Sequence, residues 1–594
     1  MIALARRTGT IAAILFALSA VAVALFGGYD WRLGALRVSS HDALRDLQFA
    51  VSAAAVTFFA RPRTTVDAQS IRAHALIARA SRWIALSIAC GVLAVGILFG
   101  THCACGSDSF GYVSQATLWA TNTVHVVEPA AAWAAWPLVE RTLAPLGYRP
   151  AVEPMAIVPT YASGYPLMMA AAVKLTRTAS AVFAVVPVLG ALVVWMTFCL
   201  GRRLRDPATG LWAAIVVAAS PTFLWQTMQP MADVPAAACW LGVMTLIVRD
   251  TRSSALTAGV VGSAAVMVRP NLAPLVLVPF AWLAYRDWCD RDVRGRALLF
   301  LAGVVPGFAV VSWTQTLLYG SPLASGYGRP QDIYAWANVV PNGLRYPAWI
   351  WQTHGPLVLA GMIAPFVVPR SGTATSAAQR SFGWVVFSFS AGVLIAYLGY
   401  TVFDDAGYTR FLLPAIPLLA VAAVWAVQVW VDRIGTPAAR AAATVALALL
   451  ALDVARRVDI QPMLDQREHE RLYADVARHI ERHTTGSPIV IAMQHSGSLR
   501  FYGNRETLRY DWLDAAWLDR AIAEIRARGR GPLILLEDWE ESAFCARFRG
   551  QRYGALDWPP AVEFMRRSFV ARLYDPAARD AVRPPATDRV VFDR

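Results

Sequence analysis

Asp108 stands in a glycine-punctuated loop, Cys105-Gly106-Ser107-Asp108-Ser109-Phe110-Gly111-Tyr112, directly after an apolar run at 83–100. A carboxylate at a membrane surface, where glycine lets the backbone bend tightly, suits chemistry on a lipid-borne group. Other polar residues stand out against apolar surroundings. They are Glu153 in Arg149-Pro150-Ala151-Val152-Glu153-Pro154, Asp233 between Met231 and Pro235, Arg269 before Pro270-Asn271, and the run Asp404-Asp405-Ala406-Gly407-Tyr408-Thr409-Arg410. Acids beside arginines can transfer a group away from a phosphate. The carboxylate takes a proton from the incoming hydroxyl, and a guanidinium grips the departing anion through two oxygens.

The elements that must position these residues cross a membrane. With 594 residues, 57% hydrophobic and 16% charged, and a mean hydropathy of +0.44, the composition excludes an ordinary soluble protein. A helix needs ~20 apolar residues to span ~30 Å of hydrocarbon. About thirteen runs approach that length, at 11–26, 47–60, 83–100, 179–200, 211–224, 235–248, 256–268, 272–285, 297–318, 356–368, 382–400, 411–431 and 441–454. The reading is a polytopic α-helical membrane protein. Short loops rich in arginine, at Arg61 to Arg82, Arg202 to Arg205 and Arg286 to Arg296, are expected to face the cytoplasm, Arg291 among them. The basic-poor loops at 101–178 and 319–355, with the C-terminal segment, are then expected to face outward from the cytoplasmic membrane. Residues 1–27 also fit a cleaved signal peptide, because Arg6-Arg7 precedes an apolar run and small residues.

Charge rises and apolar runs shorten after 455, which divides the chain into a transmembrane part, 1–455, and a segment, 456–594, expected to be an extracytoplasmic α/β domain. Strands are predicted at 488–493 and 532–537, and helices at 472–482 and 515–528. No glycine-rich phosphate loop opens a helix there, so no nucleotide is expected. The net charge of +14 is scattered over loops and tail, which argues against nucleic acid; a high-GC coding bias explains the arginine surplus most simply, with attraction to anionic membrane lipids the lesser reading. Cys103, Cys105 and Cys545 are expected on the oxidising side, and His102-Cys103-Ala104-Cys105 lacks the paired spacing of a zinc site.

Asp108 in the first large outward loop, the aromatic-rich stretch after it (Tyr112, Gln115, Trp119), and Tyr408-Thr409-Arg410-Phe411-Leu412-Leu413-Pro414 before a late span resemble the GT-C superfamily. Its members are integral-membrane glycosyltransferases, and within it the chain is similar to bacterial relatives of the protein O-mannosyltransferases and of the aminoarabinose transferase of lipid A. The resemblance covers about 83–455. It implies a GT-C-like fold, a polyprenyl-phosphate sugar donor, and a glycan, lipid or protein acceptor at the outer face of the cytoplasmic membrane. Known members commonly carry two adjacent acids in the first loop; here Ser107 and Ser109 flank a lone Asp108. No cofactor is expected, and the lone acid does not support a divalent metal.

Glycosyl transfer passes through an oxocarbenium-like state and needs one acid and at least one cation. Asp108 is the expected general base, although Ser-Asp-Ser before a helical run is also an N-cap signature. Arg410 and Arg269 are expected to hold the donor phosphate, against a reading as arginines snorkelling to headgroups. Asp233 is a second catalytic acid or a cap for the span at Pro235. Glu153 and Asp404 are further substrate-binding candidates, Asp404 with Asp405 also fitting a solvated turn. Tyr161 and Tyr408, with Tyr165 and Tyr327, suit stacking on a sugar, and an aromatic belt at the membrane surface predicts the same residues. His354 before Gly355-Pro356 reads as an interface residue. Two other classes stay open: a lipid or glycan transporter without chemistry, and a non-catalytic envelope assembly factor whose outer domain binds a partner.

Overall fold

The computed structural model describes residues 2–33, 36–290, 294–368, 377–457, 460–581 and 586–592, so Arg291 lies outside the described residues. Seven helices among them are long and apolar enough to cross a bilayer: Arg7–Ala24, Thr64–Phe99, Ala179–Leu204, Arg296–Tyr319, Gln379–Leu398, Ile416–Ile434 and Pro437–Arg456. The chain is a multi-pass membrane protein.

The count of thirteen is not reached, because six of the apolar runs fold into shorter or broken helices. The run at 47–60 lies in the 17-residue helix Ala43–Phe59. Those at 235–248 and 256–268 form Asp233–Ile247, with 15 residues, and Arg252–Val268, with 17. At 1.5 Å per residue such helices reach about 22–26 Å, short of the ~30 Å hydrocarbon core. The run at 211–224 becomes Pro207–Ala218 and Pro221–Thr227, bent by 71°, and counting that pair as one span gives eight. The bend has a local cause. Pro221 has no N–H with which to continue the ladder, and Ser220 starts the second piece by accepting from the Phe223 N–H at 3.3 Å. The run at 272–285 opens as a 3-10 turn, Pro270–Val276, with Pro274 inside it, and that at 356–368 is split into Pro356–Ala360, Gly361–Ile363 and Ala364–Val367.

Small residues bring some of these helices backbone to backbone. A Cβ on Gly259 would lie 2.2 Å from the Phe300 carbonyl oxygen, and one on Gly303 2.6 Å from that of Leu256. This contact packs Arg252–Val268 against Arg296–Tyr319 and fixes where Arg269, the residue closing the first helix, emerges.

After the last span, a six-stranded sheet forms from Ile489–Ile491, Glu506–Leu508, Pro532–Glu537, Val562–Arg566, Phe569–Tyr574 and Asp588–Val591. Ile489–Ile491 runs parallel to both Glu506–Leu508 and Pro532–Glu537, pairing Ile489 with Pro532. Phe569–Tyr574 is antiparallel to Pro532–Glu537 and to Val562–Arg566. Alternation sorts the side chains: Val490 and Ala492 meet the helix Ile460–His483 through Leu472, Val476 and Ile480, while Ile489 and Ile491 meet Leu518, Ile522 and Ile525 of Leu518–Ala527. Ala130, Trp136 and Leu143, from the large loop at 101–178, join this second cluster, so loop and sheet share a core. That loop carries its own small sheet, in which Ala156–Pro159 lies between Val126–Val127 and Tyr148–Pro150.

Candidate functional site

Asp108 is the first residue of the helix Asp108–Ala120, where an acid is favoured by the helix dipole. It does not cap that helix. Its Oδ1 accepts from the Tyr161 hydroxyl at 2.8 Å, and its Oδ2 accepts from Arg410 at 3.1 Å. Ser107 Oγ lies 2.9 Å from the same tyrosine oxygen. The Tyr161 ring reaches this position because Gly111 has no side chain: a Cβ there would stand 2.0 Å from the ring. Tyr112 packs on its other side, with ring centroids 4.3 Å apart. Burial, and then the Asp108 charge, push the Tyr161 hydroxyl well above its ordinary pKa, so it stays protonated and donates.

Arg410 comes from the 3-10 turn Ala406–Leu412, ahead of the span Ile416–Ile434. Burial alone would lower its pKa, but Asp233 and Asp108 outweigh that and hold it above the ordinary value. Asp233 opens the helix Asp233–Ile247 without capping it, and its carboxylate pairs with Arg269. Arg269 also donates to the Tyr397 hydroxyl at 2.6 Å. The Phe411 ring lies 5.3 Å from both guanidiniums and stacks on Tyr397 at 5.1 Å. Four charges, Asp108, Arg410, Asp233 and Arg269, thus gather from four distant segments.

Beside them lies a cavity of about 530 Å³, lined by Arg269, Asn271 and Gln315 with Tyr112, Tyr161, Tyr327, Tyr334, Tyr397 and Tyr400. Aromatic faces with a few polar groups suit a ring substrate bearing hydroxyls. Tyr408 is near but engaged elsewhere, stacked on Phe403 at 3.7 Å and beneath Arg410 at 5.3 Å.

Other sequence candidates are not brought here. Glu153 is 63% exposed on the turn after Tyr148–Pro150, 3.5 Å from His125. Asp404 is 91% exposed and pairs with Arg345 at 2.7 Å, while Asp405 caps the 3-10 turn through the Gly407 N–H. His354 is buried, its Nδ1 2.7 Å from Ser220 Oγ. Tyr397 and Tyr400 were missed by sequence reasoning. Their only signal is a three-residue spacing at the end of an apolar run, just ahead of Asp404.

Among the described residues no three acids, histidines or cysteines converge, and Asp108 and Asp233 each face a guanidinium.

The family model described as oligosaccharyl transferase STT3, N-terminal, matches residues 135–268, less than a quarter of the chain and inclusive of Tyr161 and Asp233. No curated protein matches the chain significantly. Among solved structures, the oligosaccharyltransferase of Archaeoglobus fulgidus tethered with an acceptor peptide is similar at a TM-score of 0.52, with 11% identity over 82% of this chain and 73% of that one. Its apo form gives 0.51, with 12% identity over 79% and 70%. ArnT from Cupriavidus metallidurans in the apo state gives 0.48, with 14% identity over 79% and 95%. The chain thus shares the fold of the Archaeoglobus fulgidus oligosaccharyltransferase, and the family-model match falls within the part that carries Tyr161 and Asp233.

Proposed function

We propose that the chain is a membrane glycosyltransferase that moves a sugar from a polyprenyl-phosphate carrier to an acceptor hydroxyl or amide at the outer face of the cytoplasmic membrane, with inversion at the anomeric carbon. The observation that carries this reading is the contact of Asp108 with Tyr161 and Arg410 at the edge of the tyrosine-lined cavity. Asp108 is the general base. Arg410 and Arg269 hold the phosphate as it departs.

Arg410 links the two tasks. It rests on Asp108 through a hydrogen bond of 3.1 Å. A donor phosphate entering beside Asp108 competes for the guanidinium and frees the carboxylate oxygen to meet the acceptor proton. Asp233 keeps Arg269 oriented and balances its charge before the donor arrives. The reacting carbon is attacked directly by the acceptor, the carbon–oxygen bond to phosphate breaks, and the acceptor proton passes to Asp108.

Purified protein incubated with radiolabelled polyprenyl-phosphate sugars and membrane extract tests the reading. Asp108→Asn should lower transfer by about 10²- to 10⁴-fold while the protein inserts and folds normally. A folded Asp108→Asn protein with wild-type transfer, or no Asp108-dependent transfer across a broad donor panel, would overturn it.

A further inference from the structure

A second cavity, of about 570 Å³, lies on another face of the Asp108–Ala120 helix from the tyrosine-lined one, touching that helix at Val113 and Thr117. Its floor is formed where two spans end together. Thr101 follows the close of Thr64–Phe99, and Ala179 to Val182 begin Ala179–Leu204. Ends of antiparallel spans that meet on one side sit at headgroup depth.

Its wall on the other side is the helix Ile460–His483, which contributes Arg471 and Arg478, with Arg566 from the sheet beside them. Two carboxylates are shared among these three guanidiniums. Glu468 accepts from Arg471 at 3.2 Å and from Arg566 at 2.8 Å, and Asp475 accepts from Arg566 at 2.6 Å and lies 3.6 Å from Arg478. One positive charge is left over. Arg467, one turn before Arg471, adds a second: it donates to the Leu98 carbonyl at 3.0 Å, and the acid that acts on it, Glu468, is already shared by Arg471 and Arg566. His102, lining the cavity, is held below its ordinary pKa by burial and then by Arg467 and Arg471, as a positive potential requires. Phe183 and Phe501 give the cavity apolar wall as well.

We propose that this crevice is a binding site for an anionic phospholipid, its phosphate held by Arg471 and Arg478 and its glycerol and acyl portion lying along the Phe183 side between the two spans. The site is separate from the transfer site. A lipid there bridges the end of the spans to the helix Ile460–His483.

Full-length protein in neutral-detergent micelles is titrated with dioleoylphosphatidylglycerol, with dioleoylphosphatidylcholine and with inorganic phosphate, bound lipid being counted by native mass spectrometry and the unfolding midpoint followed in parallel. Phosphatidylglycerol should bind about tenfold or more tightly than phosphatidylcholine, and the Arg471→Gln/Arg478→Gln variant should lose about ten- to thirtyfold of that affinity. Arg589→Gln, which removes an arginine that is 75% exposed elsewhere on the sheet, should bind as wild type. Equal affinity for the two lipids, wild-type binding by the double variant, or an equal loss in Arg589→Gln would overturn the site. A rise in midpoint with inorganic phosphate and none with phosphatidylglycerol would assign the crevice to a soluble phosphate and overturn the lipid. Should the double variant fail to fold, Arg478→Gln decides alone, since Arg478 is 47% exposed: a loss of about threefold or more supports the site, and unchanged affinity overturns it.

Discussion

Tyr161 shows how a single missing side chain can place a functional group. Its hydroxyl reaches Asp108 because the ring lies against Gly111, where a Cβ would stand 2.0 Å away. Tyr161→Phe keeps the ring and removes the donor, so transfer should fall about tenfold, as expected for loss of one charge-assisted hydrogen bond worth ~1.5 kcal/mol. Gly111→Ala should do at least as much by pushing the ring off Asp108, at an overpacking cost of about 1–3 kcal/mol. Initial rates and melting temperatures of the two variants check this; wild-type rates in Gly111→Ala would show that the packing does not hold Tyr161. The charged members of the site were legible in the sequence because an acid or arginine beside an apolar run is conspicuous. Their pairing was not, since Asp108 and Arg410 are 302 positions apart and nothing local says which acid meets which arginine. Glu153 and Asp404 carry the same local signal yet are solvated, because a turn beside an apolar run exposes an acid as readily as it aims one.

At the scale of elements, the strand Pro532–Glu537 was legible as a continuous apolar run bounded by proline, whereas the spans were overcounted because proline and length, more than hydropathy, decide which runs stay helical. That strand turns directly into the helix Asp538–Arg547 through a reciprocal capping box. The N–H of Glu537 donates to Glu540 at 3.0 Å. The two carboxyls titrate oppositely. Burial alone would raise Glu537, but the hydrogen bond from His469 at 2.9 Å, the neighbouring His495 and the Tyr473 hydroxyl bring it down to about 2. Glu540, raised by burial and then by the charge of Glu537, is pushed up to about 7. A carboxyl raised on folding contributes stability that is complete below its unfolded value near 4.5 and is lost as pH rises through about 7. His495, lowered to about 4 chiefly by burial, works in the other direction: it costs stability as pH falls from 6.5 towards 4. Glu540→Gln isolates the first effect, because His495 is present in both proteins. The melting temperature of the variant should gain on wild type between about pH 5 and pH 7 and level off above that; a constant difference from pH 5 to pH 7 would mean that Glu540 is already ionised when folded.

The whole molecule depends on a contact that neither half of the sequence announces. Arg500, on the helix Ser496–Gly503, is paired with Glu128 of the large loop and also donates to the Leu143 carbonyl at 2.6 Å and to Thr507 Oγ1 at 2.7 Å. Glu128 is buried, and burial holds its pKa above the ordinary value even though Arg500 pulls it down. The same helix packs on the back of the one that carries Asp108: a Cβ on Gly497 would stand 2.3 Å from the Phe110 ring, and Phe501 meets that ring edge-on. Asp108 is therefore braced from the sheet side as well as from the membrane side. Arg500→Ala leaves a buried carboxylate without its cation and should cost about 3–5 kcal/mol, with a lower melting temperature and a parallel loss of transfer. Replacing both partners, Glu128→Met with Arg500→Met, removes the charges together and fills the space with apolar atoms, which is often neutral in stability. If the pair serves only to brace the helix, the double variant should recover most of the melting temperature and most of the transfer. Recovery of stability without recovery of transfer would assign Arg500 or Glu128 a part in binding the acceptor, so the two readouts separate support of the site from membership in it.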